Sequence, residues 1–168
     1  KIVSLLVAFM LLMSPSYAQQ LRVFTIGDST VQDYNDGYAP RKGWGQMLSF
    51  FFDKSKAVVY NKAIGGTSSK SFNKKHWADV KNQLKKGDYV FIQFGHNDAG
   101  NIDKEKYRGS LKGMGAETQE VKRDSVIEIV HTYGWYMRQM IKDTKEKGAI
   151  PVVLSLTPRN EWPNGKVE

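Results

Sequence analysis

The 168-residue chain contains no cysteine. Disulfides are therefore excluded, and so is structural zinc held on thiolates. Stability has to come from packing. There is no internal repeat and no low-complexity tract, which removes solenoid and fibrous architectures. No apolar run is long enough to cross a bilayer. The longest, Ile2–Met13, is broken only by Ser4 and falls short of the roughly 20 residues that a span needs. Basic and aromatic residues are not interleaved, so the net charge of +8 does not read as a nucleic-acid surface. Paired lysines such as Lys74-Lys75 and Lys85-Lys86 read as solvated helix faces, with attraction to an acidic polymer as the sharper alternative.

The apolar run follows Lys1 and is succeeded by Ser14-Pro15-Ser16-Tyr17-Ala18. A basic start, an apolar stretch and small residues at Ser16 and Ala18 form the pattern of a secretory signal, with cleavage expected after Ala18. Residues 1–18 are accordingly expected to be a signal peptide, and no domain boundary is evident within 19–168. The expected location is outside the cytoplasm, periplasmic or secreted. No membrane-integral segment is expected after cleavage.

Four short runs rich in Val, Ile and Phe read as strands: Leu21–Ile26, Ala57–Asn61, Asp88–Gln93 and Ile150–Leu156. None alternates cleanly, which suits strands covered on both faces. Helical patterns separate them at Trp44–Phe52, Phe72–Leu84 and Thr132–Lys147. In the last, Tyr133, Tyr136, Met137, Met140, Ile141 and Thr144 recur at the spacing of one helix face, which predicts core packing. The polar stretch Ala99–Ile129 reads as a long loop shaping the substrate side. Strands alternating with helices predict an α/β fold, a three-layer α/β/α sandwich around a parallel sheet. In such sheets ligands bind beyond the carboxyl ends of the strands.

The loops at those ends carry chemistry. Gly27-Asp28-Ser29-Thr30 follows the first strand, Ala63-Ile64-Gly65-Gly66-Thr67-Ser68-Ser69 the second, Gly95-His96-Asn97-Asp98 the third and Thr157-Pro158-Arg159-Asn160 the fourth. Each is ordinary turn chemistry when taken alone. Acyl transfer requires a nucleophile, a base and oxyanion donors, and together these loops can supply the first and the last. Ser29 can be the nucleophile. The Ser29 and Gly66 N–H groups and the Asn97 side-chain amide are donors for a developing oxyanion.

These blocks resemble the SGNH (GDSL-like) hydrolase superfamily: Gly27-Asp28-Ser29 its nucleophile block, Gly66 its oxyanion glycine, and Gly95-His96-Asn97-Asp98 its Gly-x-Asn-Asp block. With Gly43-Trp44-Gly45, Phe94 and Thr157-Pro158-Arg159-Asn160, the pattern is similar to the rhamnogalacturonan acetylesterase branch over about Leu21–Trp162. The resemblance implies a flavodoxin-like sandwich and a serine esterase that needs no metal or cofactor. Ser29 would be the nucleophile, and Gly66 and Asn97 the oxyanion donors. Acetylated plant cell-wall polysaccharide would be the substrate. The nucleophile turn differs from the Gly-x-Ser-x-Gly elbow of α/β-hydrolases, because Val31 stands where the last glycine would be.

One block of the superfamily is absent. No Asp in the sequence has a His three residues on. Glu128–His131 has the spacing but precedes the wrong element, and His76 and His96 are the other histidines. The expectation is a piece of a longer esterase, inactive alone. The alternatives are a glycan-binding or decayed enzyme without a triad base, and an SGNH esterase acting on another acyl substrate.

Overall fold

The computed structural model describes residues 19–104, 106–123, 125–158 and 162–166. The expected signal segment, residues 1–18, lies outside the described residues, as do Arg159 and Asn160. Strands β1 (Leu21–Gly27), β2 (Ala57–Asn61), β3 (Tyr89–Gln93) and β6 (Ile150–Val153) form a parallel sheet in the order β2-β1-β3-β6. The helices are α1 (Trp44–Leu48), α2 (Ser69–Lys75), α3 (Trp77–Gln83) and α4 (Tyr133–Glu146). The expected α/β architecture, a parallel sheet flanked by helices, is what the chain forms.

Strand β1 is central, and its residues Val23–Gly27 are all buried. Its Phe24 and Ile26 side chains join Val90 and Ile92 of β3 on one face, where Phe72 of α2, Trp77 and Val80 of α3, and Met137 and Met140 of α4 cover them. Thr25 points to the opposite face and donates to Asn61 Oδ1 at 2.8 Å. Helix α1 approaches on that side, its Gly45 lying close to the Asn61 amide. The stripe expected on the last helix is the one buried: Tyr136, Met137, Met140 and Thr144 face inward, with Tyr133 and Ile141 packed at the margin.

Several expected boundaries shift, each for a local reason. The helix expected over Trp44–Phe52 is α-helical only to Leu48. Ser49–Phe51 tightens into a 3-10 turn, where Phe50 and Phe51 are exposed and no core holds them. The single helix expected over Phe72–Leu84 is two. It starts earlier, at Ser69, because Ser68 and Ser71 form a reciprocal capping box, and it breaks at His76 (φ −129°, ψ −24°). The break lets Trp77 enter the core and donate to Asp143 Oδ2 at 2.7 Å. The strand expected over Ile150–Leu156 stops at Val153, after which the Gln93 side chain takes the Ser155 carbonyl.

The largest correction concerns residues 99–129. They are not all loop. Thr118–Arg123 (β4) and Val126–His131 (β5) pair as an antiparallel hairpin, in register from Thr118↔His131 to Arg123↔Val126. The β-branched run Val126-Ile127-Glu128-Ile129-Val130 carries the strand signal, masked by the polar residues around it.

Candidate functional site

The residues singled out from the sequence fall at one end of the sheet. Gly27 ends β1 beside Gln93, and there is no room there for a side chain. A Cβ on Gly27 would lie 2.6 Å from the Gln93 carbonyl oxygen and 2.5 Å from Val31 Cγ2. The chain then turns sharply. The buried Asp28 accepts through Oδ1 from the Thr30 N–H and the Thr30 hydroxyl, both at 2.9 Å. Its carbonyl takes the Val31 and Gln32 N–H groups at 3.1 Å each. Tyr34 donates its hydroxyl to the Ser29 carbonyl at 2.7 Å. Ser29 therefore sits half-buried on a turn fixed from both sides. The Gly43-Trp44-Gly45 segment braces the same turn: the Trp44 N–H donates to the Thr30 carbonyl at 2.9 Å, and its indole N–H to Gln93 Oε1 at 2.6 Å.

The loop after β2 is tied to this turn through the end of β1. The Gly27 carbonyl accepts from the Ile64 N–H at 3.0 Å and from the Thr67 hydroxyl at 3.3 Å. Between those anchors Gly66 has φ +76°, a left-handed conformation that residues with a Cβ adopt at a cost of roughly 1–2 kcal/mol. The loop after β3 is tied in turn to that one. Asn97 donates one side-chain N–H to the Thr67 carbonyl at 2.8 Å. Ser29, Gly66 and Asn97 are thus joined through one short chain of hydrogen bonds. Among the described residues, the Ser29 and Gly66 N–H groups have no protein acceptor, and the second Asn97 amide hydrogen is likewise uncommitted. Donors from separate loops, held in place but not used up internally, are what stabilises a developing oxyanion.

Sequence reasoning left out the residue that fixes this arrangement. Asp98 is buried, and its carboxylate accepts from the Ser69 N–H at 3.0 Å, from the Ser69 hydroxyl and from the Ser110 hydroxyl at 2.8 Å. It holds the first amide of α2 and so locks the β3 loop against the β2 loop. Burial pushes its carboxyl above the ordinary value, and the bonds from Ser69 and Ser110 pull it part of the way back. No local signal in the sequence marks this role, because Ser69 and Ser110 lie 29 and 12 residues from Asp98. Arg108 adds a cation at the rim, donating to the Gly66 carbonyl at 3.2 Å.

The histidines are dispersed. His76 caps the α2–α3 junction, half-buried, its ring 5.6 Å from that of Phe72 rather than free on the surface as its polar neighbours suggest. His131 stacks on Trp135 at 3.8 Å beside the hairpin. His96 stands next to Asn97, with Nε2 against the Thr157 carbonyl. Among the described residues, no group of three or more His, Asp or Glu side chains converges as a metal site would require, and no helix is long and apolar enough to cross a membrane.

The chain is similar to known proteins in sequence and in fold. The family model for GDSL-like lipase/acylhydrolase matches residues 23–166. Over 144 residues the chain is 33% identical to a rhamnogalacturonan acetylesterase of Emericella nidulans, covering 85% of this chain and 55% of that protein. Over 150 residues it is 31% identical to the rhamnogalacturonan acetylesterase RhgT of Bacillus subtilis, covering 88% of this chain and 54% of RhgT. Among solved structures it matches the YxiM protein of Bacillus subtilis with a TM-score of 0.59 at 27% identity, over 83% of this chain and 33% of that one. The chain spans about half the length of the curated relatives it matches.

Proposed function

The chain belongs to the GDSL-like lipase/acylhydrolase family, and on that premise we propose that it is the nucleophile-bearing part of a serine esterase that removes acetyl groups from a plant cell-wall polysaccharide of the rhamnogalacturonan type. One observation carries the reading: Ser29, Gly66 and Asn97 share one hydrogen-bonded edge of the sheet, with donors left over for a substrate. In this mechanism the Ser29 hydroxyl attacks the acetyl carbonyl. The negative charge that builds on the carbonyl oxygen is met by the Ser29 and Gly66 N–H groups and by Asn97 Nδ2. Collapse of the tetrahedral intermediate expels the sugar alcohol and leaves acetyl-Ser29. Water then attacks the acyl-enzyme and releases acetate.

Attack needs a base to take the Ser29 proton, and return of that proton to the leaving alcohol completes the first half-reaction. In the superfamily that the sequence resembles, this base comes from an Asp-x-x-His block, which the 168 residues do not contain. The activity is therefore proposed for the full-length protein. The preference for an acetylated polysaccharide is supported by relatives that carry that name. Export, supported by the Lys1–Ala18 pattern, would bring the enzyme to such a polymer.

The test is acetate release from acetylated rhamnogalacturonan by the full-length protein and by its Ser29→Ala variant. Loss of release in the variant is the expected result. Turnover that survives the substitution removes Ser29 from the mechanism. A protein that hydrolyses short acyl lipids faster than the polysaccharide keeps the family and changes the substrate.

A further inference from the structure

Away from the sheet edge, a cavity of about 690 Å³ opens between α2 and the β4–β5 hairpin. Its floor holds Lys70, which is only 1% exposed. The Lys70 ammonium has no hydrogen-bond acceptor among the described residues. Its nearest anion, Glu128 Oε1, is 3.4 Å away and already accepts from Lys74 Nζ at 2.5 Å. One carboxylate therefore serves two ammonium groups, and the more deeply buried of them is the less well served. Lys75, Lys106 and Arg123 also line the cavity, against Glu128 as the one acid among its described lining residues. An ammonium buried with so little compensation is costly unless a further anion reaches it. Burial shows in Lys70 itself, whose proton affinity is lowered despite Glu128.

The remaining wall is apolar. Val126, Ile127 and Ile129 of β5 are each more than half exposed and line the cavity. Tyr107 presents a ring with the Arg123 guanidinium 4.7 Å from its centroid. A bare inorganic anion would satisfy Lys70 and leave this wall wet. A pyranose ring carrying a carboxylate meets both demands, because its C–H face covers apolar side chains while its charge pairs with the ammonium. The volume falls within the range of about 300–1,000 Å³ that suits organic ligands, larger than an ion needs.

We propose that the cavity between α2 and the β4–β5 hairpin binds a uronate residue of an acidic polysaccharide, with Lys70 at its floor as the carboxylate partner and the Tyr107–Ile127 wall as its sugar platform. The proposal rests on the polysaccharide-esterase reading and deepens it. It adds a second point of attachment on the same chain, close in sequence to the oxyanion loop, since Lys70, the second residue of α2, follows Gly66 by four residues. Two linked attachment points raise the residence of a polymer beyond what either gives alone.

The experiment is calorimetric titration of the full-length protein with unacetylated oligogalacturonate, with a neutral galacto-oligosaccharide and inorganic phosphate in parallel. Two variants are compared with the parent: Lys70→Met, and the surface pair Lys106→Gln/Arg123→Gln, which does not depend on replacing a buried residue. Oligogalacturonate is expected to bind the parent and to lose about tenfold in affinity in each variant, the size of one charge-assisted contact. The neutral sugar is expected to show no variant-sensitive binding. Unchanged oligogalacturonate affinity in the surface pair overturns the proposal. So does phosphate that displaces oligogalacturonate with equal affinity, which would make the cavity a general anion site. Hydrolysis of 4-nitrophenyl acetate separates this from the catalytic reading. If hydrolysis ignores Ser29→Ala while the cavity variants still lose oligogalacturonate, the esterase mechanism falls and the cavity stands. If hydrolysis needs Ser29 and oligogalacturonate ignores the cavity variants, the cavity falls alone.

Discussion

The sheet edge and the hairpin cavity are built in opposite ways. At the sheet edge the groups facing outward are mostly backbone: the N–H of Ser29 and of Gly66, with one side-chain amide. They are held by a buried carboxylate on either side, Asp28 bonding Thr30 and Asp98 bonding Ser69 and Ser110. Such donors are fixed before any substrate arrives and need little reorganisation during reaction. At the hairpin cavity the described lining carries long cationic side chains, most of them on α2, around Glu128 as its one described acid, with three exposed aliphatics of β5 beside them. The exposed ones among them reorient cheaply and interact through charge. The first design suits stabilising a transition state, and the second suits holding a polymer.

Substitutions break the comparison most sharply at the sheet edge. Ser29→Ala in the full-length protein is expected to lower acetate release at least about a thousandfold, since removing one member of a nucleophilic constellation removes nearly all that the set provides. Oligogalacturonate titration of the same variant should be unaltered. A Ser29→Ala protein that also loses oligogalacturonate would mean that the two regions are one site.

Asn97→Ala comes next. Loss of one oxyanion donor costs about 3 kcal/mol of transition-state stabilisation, read as a fall in kcat with little change in KM. An effect confined to KM would place Asn97 in ground-state binding instead.

The difference in legibility between the two regions has the same physical root. The sheet edge is specified by residues that only a few positions tolerate, such as Gly27 against Gln93 and Gly66 at positive φ, so short motifs carry it. Parallel order and the buried faces of β1 and α4 follow from unbroken apolar runs and a helical stripe, and were legible for that reason. The hairpin lacks such constraints. Its β5 alternates imperfectly, with Val126, Ile127 and Ile129 exposed, and its partner β4 is Thr-Gln-Glu-Val-Lys-Arg, which has no strand signature of its own. Pairing with β5 makes β4 a strand, and that is long-range information. The break at His76 was hidden similarly, because it depends on Asp143, far along the chain, accepting from Trp77. Asp98 went unassigned because its role rests on Ser69 and Ser110, brought together only by the fold.

Asp98→Ala should affect both stability and rate. It leaves the Ser69 N–H and two hydroxyls without their acceptor in a buried place, a loss on the order of 3 kcal/mol in denaturant unfolding. With the β3 loop released from α2, kcat should fall as Asn97 drifts. Asp98→Asn retains a side-chain oxygen acceptor and should recover part of both losses. Equal damage from Asn and Ala would show that the charge, not the hydrogen bonding, holds the loop.

The smallest effect is the response to pH, and there the two regions differ in sign. Burial, followed by the charge of Lys74, holds His131 below its ordinary value. As pH falls through the usual histidine range near 6.5, the unfolded chain takes the proton first, so the hairpin loses stability on acidification. Burial pushes Glu128 up, but the bond from Lys74 and the charges of Lys70 and Lys74 outweigh it and hold the carboxyl low. Its contribution is present above the ordinary glutamate value and lost as pH falls through the lowered one, again on the acid side. Asp98 runs the other way. Raised by burial, it binds a proton in the fold at a pH where the unfolded chain does not, so its contribution is greatest in acid and falls as pH rises through its folded value. Acid should therefore loosen the hairpin while the sheet edge stays closed. Hydrogen exchange resolved by segment, corrected for the intrinsic pH dependence of exchange, is expected to show residues 118–131 losing protection on moving to mildly acidic conditions while residues 94–98 keep theirs. His131→Gln should flatten the first step of that loss. Loss of protection in both segments together would mean that the hairpin and the sheet edge open as one unit.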